Sequence, residues 1–238
     1  MTTDNADNGS RTTVNDRTLP APAVAGRSLL ARCPVVPVVV LDHPDQAVPL
    51  GEALLAGGID VVEVTLRTDA GLEAIRRLTA LPDLHVGAGS VLVPDQADQV
   101  VDAGARFVVS PGLHAPVIAR CVERSVPALP GVATASEVMA AVNLGLTEVK
   151  FFPAGLLGGP AAIKAMSAPF PGISFLPSGG VGPGNLTDYL ALQCVPAVSG
   201  SWMVDPGLIR NADWAEITRR STAAVEAARA AIAARHSD

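Results

Sequence analysis

Short apolar runs recur along the chain and are separated by longer stretches whose apolar residues keep a helical spacing. The runs fall at Val35 to Leu41, Asp60 to Leu66, Leu84 to Ser90, Arg106 to Ser110, Ala128 to Val132, Glu148 to Pro153, Ile173 to Pro177 and Pro196 to Gly200. Helical patterns occupy His43 to Ala56, Ala70 to Leu81, Pro94 to Ala103, Ala115 to Ser125, Ala135 to Leu144, Pro160 to Met166 and Pro183 to Leu192. Alternation of this kind predicts a parallel sheet covered by helices. Eight strands at a spacing of roughly 21 to 25 residues fit an α/β fold of the (β/α)₈ TIM-barrel type. An open dinucleotide-binding sheet should show G-x-G-x-x-G after its first strand, and Val35 to Leu41 runs instead into DHPDQA.

Punctuation between the runs supports the same reading. Gly57-Gly58, Gly104 and Gly145 follow three helical patterns, where a left-handed cap favours glycine. Thr134 with Glu137 three residues later predicts a capping box. Pro37 counts against a central first strand, because proline lacks the ladder amide. An additional C-terminal helix is expected from Trp214 to Arg235, and an N-terminal helix containing Leu29 and Leu30 is expected before the first strand. Residues 1–20 hold no apolar core and predict a disordered leader, which leaves 21–238 as one barrel domain.

Composition narrows the classes. Of 238 residues, 49% are hydrophobic and 17% charged, so much of the chain must be buried. A formal net charge of -6 supplies no field for nucleic acid or anionic lipid. The longest early apolar run, PVVPVVVL, is far short of the roughly 20 residues a membrane helix needs. Cys33, Cys121 and Cys194 are widely spaced and odd in number, which fits a reducing, cytoplasmic setting. His43, His85, His114 and His236 form no ligand-spaced pair, and no metal site is expected.

The segment TEVKFFPAG, Thr147 to Gly155, places a lysine inside a buried-strand pattern. Period-two alternation puts Lys150 and Phe152 on one face, and puts Glu63, Thr65 and Arg67 together in DVVEVTLR. The purely apolar Val62, Val64 and Leu66 should face the helices. Charged groups inside a barrel require partners or a task. One reading is an ion pair closing a core layer. The other is an amine whose neutral form, favoured by desolvation and a neighbouring Arg67, attacks a carbonyl while Glu63 manages protons. Arg67 offers a rigid fork for a carboxylate. A second cluster, LPSGGVGPGN with SGSW, lies after strands seven and eight, where barrels commonly bind phosphate. Backbone amides at Gly179 and Gly180, with hydroxyls from Ser178, Ser199 or Ser201, suit an anion; simple turns are the alternative.

Together EVTLRT, VGAGSVL, SPGL, KFFPA and PSGGV resemble the 2-keto-3-deoxy-6-phosphogluconate (KDPG) aldolase family, whose members often also cleave 4-hydroxy-2-oxoglutarate (KHG). The resemblance implies a class I, metal-independent, cofactor-free aldolase of the Entner-Doudoroff pathway, normally a homotrimer. It implies Lys150 as the Schiff-base lysine, Glu63 as general acid/base, and Arg67 with Ser90 at the substrate carboxylate. Thr65, Pro111 and Phe152 would line the pocket, and Ser178, Gly179, Gly180 and Ser201 would hold the phosphate. Ser90 and Ser178 stand where threonine is usual, retaining the hydroxyl and losing a methyl. The epimeric phosphogalactonate aldolase and a non-catalytic phosphosugar-binding barrel are the competing readings.

Overall fold

The computed structural model describes residues 28–235. Eight parallel strands alternate with helices. In chain order the strands are β1 Val35–Val39, β2 Val61–Thr65, β3 His85–Gly89, β4 Val108–Ser110, β5 Ala128–Val132, β6 Glu148–Phe151, β7 Ser174–Pro177 and β8 Val198–Gly200. Each neighbours the next in space, and β8 returns to β1 through the register Val36 to Ser199. A bridge between Ser178 and Ser199 and a Phe175 N–H to Cys194 carbonyl bond of 2.8 Å bring β7 to β8, nearly closing the barrel. All eight apolar runs therefore form strands of a TIM barrel, shortened mainly at their ends.

Pro37 is accommodated at a handover. Residues 35–37 pair with β8 and residues 38–39 with β2, so the proline sits where β1 changes partner. Parallel partners in register share a face. Val38, Glu63 and Gly87 therefore point the same way, as do Gly131, Lys150 and Leu176 on the other side of the barrel. The alternate residues Val62, Val64 and Val149 are wholly buried and belong to the core between sheet and helices.

The helices are α1 Ala47–Ala56, α2 Gly71–Leu78, α3 Pro94–Asp102, α4 Ala115–Glu123, α5 Ala135–Asn143, α6 Gly159–Ser167, α7 Leu186–Leu190, α8 Pro206–Arg210 and α9 Trp214–Ala234. The capping box before α5 forms, with Glu137 Oε2 accepting from the Thr134 amide and Thr134 Oγ1 accepting from the Glu137 amide. Two elements escape the periodicity: a 3₁₀ turn at Trp202–Val204, and α8, which Asp205 caps by accepting from the Gly207 amide. The α7 helix is shorter than its apolar pattern predicts, because Asn185 holds the preceding residues in a loop. Its Oδ1 accepts from the Gly182 amide and its Nδ2 donates to the Gly180 carbonyl.

At the opposite end, Ser28 to Cys33 form a turn rather than the expected helix around Leu29 and Leu30. The Ser28 hydroxyl and Leu29 amide both donate to Glu148 at the start of β6, and this side-chain pairing fixes an open turn there. The leader at 1–20 lies outside the described residues. Among those described, no helix is long and apolar enough to cross a membrane.

Candidate active site

The interior face of β2 meets that of β6 across the barrel. Lys150 Nζ lies 3.0 Å from Oε1 and 3.2 Å from Oε2 of Glu63, and the two side chains are 6% and 1% exposed. This is a buried amine facing one carboxylate, the contact that both readings of the lysine strand require. The carboxylate fits because Gly89 has no side chain; a Cβ there would lie 2.2 Å from Glu63 Oε1. The Phe152 ring, half-buried beyond the end of β6, lies with its centroid 5.6 Å from Nζ, within cation–π range.

Thr65, wholly buried, donates its hydroxyl to the Val39 carbonyl at 3.0 Å, so it forms wall rather than a free donor. Arg67, beyond the end of β2, is exposed at the mouth and donates from Nε to Ser90 Oγ at 3.2 Å. The charged neighbour of the amine is therefore Glu63, while Arg67 is engaged by Ser90. Ser90 itself has φ of 59°, a left-handed conformation uncommon outside glycine, which turns the chain sharply as β3 ends. Pro111 follows β4 on the surface. A Cβ at Gly131, the register partner of Lys150, would lie 2.1 Å from the Pro111 carbonyl oxygen, so Gly131 lets this loop close over the β5–β6 edge.

Beside this pocket, β7 and β8 deliver the second cluster. Gly179 and Gly180 have φ of 85° and 80°, and a Cβ at Gly179 would lie 3.2 Å from the Phe152 ring. The glycine loop therefore lies against Phe152, whose ring is also within reach of the Lys150 amine. Ser178 and Ser199 are buried with their hydroxyls 3.4 Å apart, and Ser201 is exposed where β8 ends. Every site residue expected from sequence lies at a strand interior or the C-terminal mouth, the end at which barrel enzymes carry their chemistry. The particular partners of Gly89 and Asn185, the Glu63 carboxylate and the Gly180–Gly182 backbone, are not legible in the sequence. Their signals were a glycine in a strand and an asparagine before a helix, each common for ordinary structural reasons.

No group of three or more His, Cys, Asp or Glu side chains among the described residues is arranged to hold a metal ion. His85 is elsewhere, at the start of β3, stacked on the Phe107 ring at a centroid distance of 5.5 Å. What the interior and its mouth do hold is an amine against a carboxylate, an arginine bonded to a serine, and a loop with paired glycines. A barrel so equipped is a lyase of the class I type, which forms an imine between a lysine and its carbonyl substrate.

Comparison with known proteins gives the family. The chain belongs to the family described as "Aldolase: KDPG and KHG aldolase", whose model matches residues 27–220. A KHG/KDPG aldolase of Escherichia coli strain K12 is 44% identical over 206 residues, covering 86% of this chain and 97% of that protein. A 2-dehydro-3-deoxy-phosphogluconate aldolase of Pseudomonas aeruginosa is 46% identical over 193 residues, covering 81% and 88%. Among solved structures, a KDPG aldolase from Legionella pneumophila, with pyruvate captured at low pH as a covalent carbinolamine intermediate, is 43% identical. It covers 82% of this chain and 95% of that one with a TM-score of 0.80.

Proposed function

We propose that this protein cleaves KDPG to pyruvate and D-glyceraldehyde 3-phosphate through an imine on Lys150, and that it also accepts KHG. The observation that carries the reading is the buried contact of Lys150 Nζ with both oxygens of Glu63. The names of the Escherichia coli and Pseudomonas aeruginosa relatives, and the pyruvate carbinolamine in the Legionella pneumophila enzyme, support it.

In this mechanism Glu63 takes a proton from the Lys150 ammonium, and the freed amine attacks the C2 carbonyl of the substrate. A proton passes from the attacking nitrogen to the carbinolamine oxygen, and Glu63 then gives that oxygen the proton it took from the ammonium, so that water leaves, an iminium forms and Glu63 is again a carboxylate. Glu63 then removes the C4 hydroxyl proton. The C3–C4 bond breaks, its electrons pass into the iminium to form an enamine, and the aldehyde departs. Protonation of the enamine at C3 and addition of water release pyruvate and restore the amine.

Arg67 and Ser90 bind the carboxylate of the keto acid, and Thr65, Pro111 and Phe152 shape the pocket around its carbon chain. Ser178, Gly179, Gly180 and Ser201 receive the terminal phosphate, through hydroxyls and through amides of the glycine loop. The iminium is the electron sink, so the scheme draws on no cofactor. We place the enzyme in the cytoplasm, in the Entner-Doudoroff pathway, and as a homotrimer. Leu156, Met139 and Leu92, exposed at 88%, 56% and 54%, supply apolar surface for association, which light scattering can test.

Incubation with pyruvate and borohydride tests the central claim. The intact mass should rise by one pyruvate, less a water and plus two hydrogens, with the adduct mapped to Lys150. An unmodified Lys150 peptide would overturn the imine mechanism.

A further inference from the structure

The phosphate loop after β8 is held from outside the barrel. Arg220, on the second turn of α9, donates from Nη1 to the Trp202 carbonyl at 3.0 Å, and Trp202 immediately follows Ser201. The arginine is itself fixed on its own helix, its Nε donating to Glu216 Oε1 at 2.8 Å. Glu216 also receives both Nε and Nη2 of Arg219, at 2.6 and 2.7 Å. Asp213 caps this end of α9 by accepting from the Glu216 amide at 3.1 Å.

The Ser201–Trp202 turn needs such a tether. A Cβ at Gly200 would lie 2.2 Å from the Trp202 ring, so the indole folds back over the end of β8 and sets where Ser201 points. Beyond the indole, a crevice of about 360 Å³ opens between Leu186 of α7 and Ala223 and Ala227 of α9. Trp202 packs partly buried against the core and Met203 and Val204 are buried, while the crevice leaves one side of the indole open, so the Arg220 bond adds a polar hold to this apolar packing.

We infer that Arg220 is a positioning residue for substrate phosphate, clamped by Glu216 and acting through the Trp202 carbonyl to hold the Ser201 hydroxyl beside Gly179 and Gly180. The inference rests on the proposed phosphate role of those three residues. Arginine suits the task because its planar fork bonds the carboxylate and the carbonyl at once in a fixed geometry, which a lysine ammonium on a flexible stem does not reproduce. The two arginine partners hold the Glu216 carboxyl low, at about 2, so the clamp stays charged throughout the neutral range.

The test compares the unmodified protein with Arg220→Leu, Arg220→Lys and Glu216→Gln, using KDPG and the unphosphorylated KHG as substrates. For Arg220→Leu, the ratio of kcat/KM for KDPG to that for KHG should fall roughly tenfold, chiefly through a higher KM for KDPG. Arg220→Lys should recover little of the ratio, and Glu216→Gln should lie between. Inorganic phosphate should also inhibit cleavage of KHG less strongly in the Arg220 variants. Equal losses on both substrates, or an unchanged ratio in soluble variants with native melting temperatures, would overturn the inference. If Arg220→Leu does not fold, the other two variants decide by the same criteria. Borohydride trapping of pyruvate on the unmodified protein is the separate check on the aldolase reading. If the unmodified protein makes no distinction between the two substrates, the phosphate reading falls and the clamp role falls with it.

Discussion

Gly89 leaves the space that the Glu63 carboxylate occupies: a Cβ on Gly89 would stand 2.2 Å from Oε1, 2.7 Å from Cγ and 2.8 Å from Cδ of Glu63. One strand thus determines the position of the Glu63 carboxylate on its neighbour. In Gly89→Ala the added methyl should push the carboxylate away from Lys150. Because misplacement of about 1 Å can lower turnover by roughly a hundredfold, kcat should fall by that order. Single-turnover trapping of pyruvate should slow equally, while the KM for KDPG should change little. Full activity in the alanine variant would mean that Glu63 has more room than this packing shows.

The buried ion pair makes activity and stability separable. Lys150→Met removes the amine and leaves the Glu63 carboxylate buried without its partner, an imbalance that typically costs ~3–5 kcal/mol. Lys150→Met with Glu63→Gln removes both charges and should recover much of that loss in urea denaturation. Both variants should be catalytically inert. Glu63→Gln alone keeps the amine and removes the carboxylate, and under the proposed mechanism imine formation should slow by roughly 10² to 10⁴. A stable Lys150→Met protein would show that the carboxylate is relieved some other way.

Arg67 is exposed and held by Ser90, so its replacement should be felt by the substrate rather than by the fold. Arg67→Lys keeps the charge and loses the fork. The KM for KDPG and for pyruvate trapping should both rise, by roughly tenfold, with a melting temperature within a degree or two of the parent. Ser90→Ala, which frees the guanidinium from its hydroxyl partner, should raise both KM values by a smaller factor. A rise confined to phosphorylated substrates would move Arg67 to the other end of the substrate.

Acid sensitivity should reside in His85. Burial, helped by Arg32 and Arg106, lowers its pKa from 6.5 to about 4 in the folded protein, with Asp60 opposing. Between these values the unfolded chain binds the proton that the folded chain refuses. Stability is therefore intact above about pH 6.5 and declines as the pH falls toward 4. Urea denaturation at pH 7.5 and at pH 4.5 should show a smaller acid loss in His85→Gln than in the parent. Equal losses would assign the acid sensitivity to other groups.

Much of this protein was written in the order of its residues. Apolar runs of strand length at a repeating interval specify parallel strands and covering helices, because backbone amides and apolar faces must both be satisfied. Two-residue alternation grouped Lys150 with Phe152, and Glu63 with Thr65 and Arg67, since successive side chains of a strand point to opposite sides, and the apolar Val62, Val64 and Leu66 facing the helices left the polar set of β2 to the interior. The residue types then named the chemistry: an amine, a carboxylate, an arginine and hydroxyls beside paired glycines.

What only the tertiary structure decided is which of these groups touch. Alternation gives a face but no partner across the barrel, and that partner depends on strand register and closure. Lys150 meets Glu63 across the interior, whereas Arg67 is retained at the mouth by Ser90. The N-terminal turn and the hold of α9 on Trp202 likewise depend on bonds between different segments, Leu29 with Glu148 and Arg220 with a carbonyl beyond β8, while the shortened α7 depends on the Asn185 side chain bonding its own loop. Local periodicity is blind to such contacts because it records which side of an element a residue faces, and not which particular donor and acceptor the folded chain sets opposite each other.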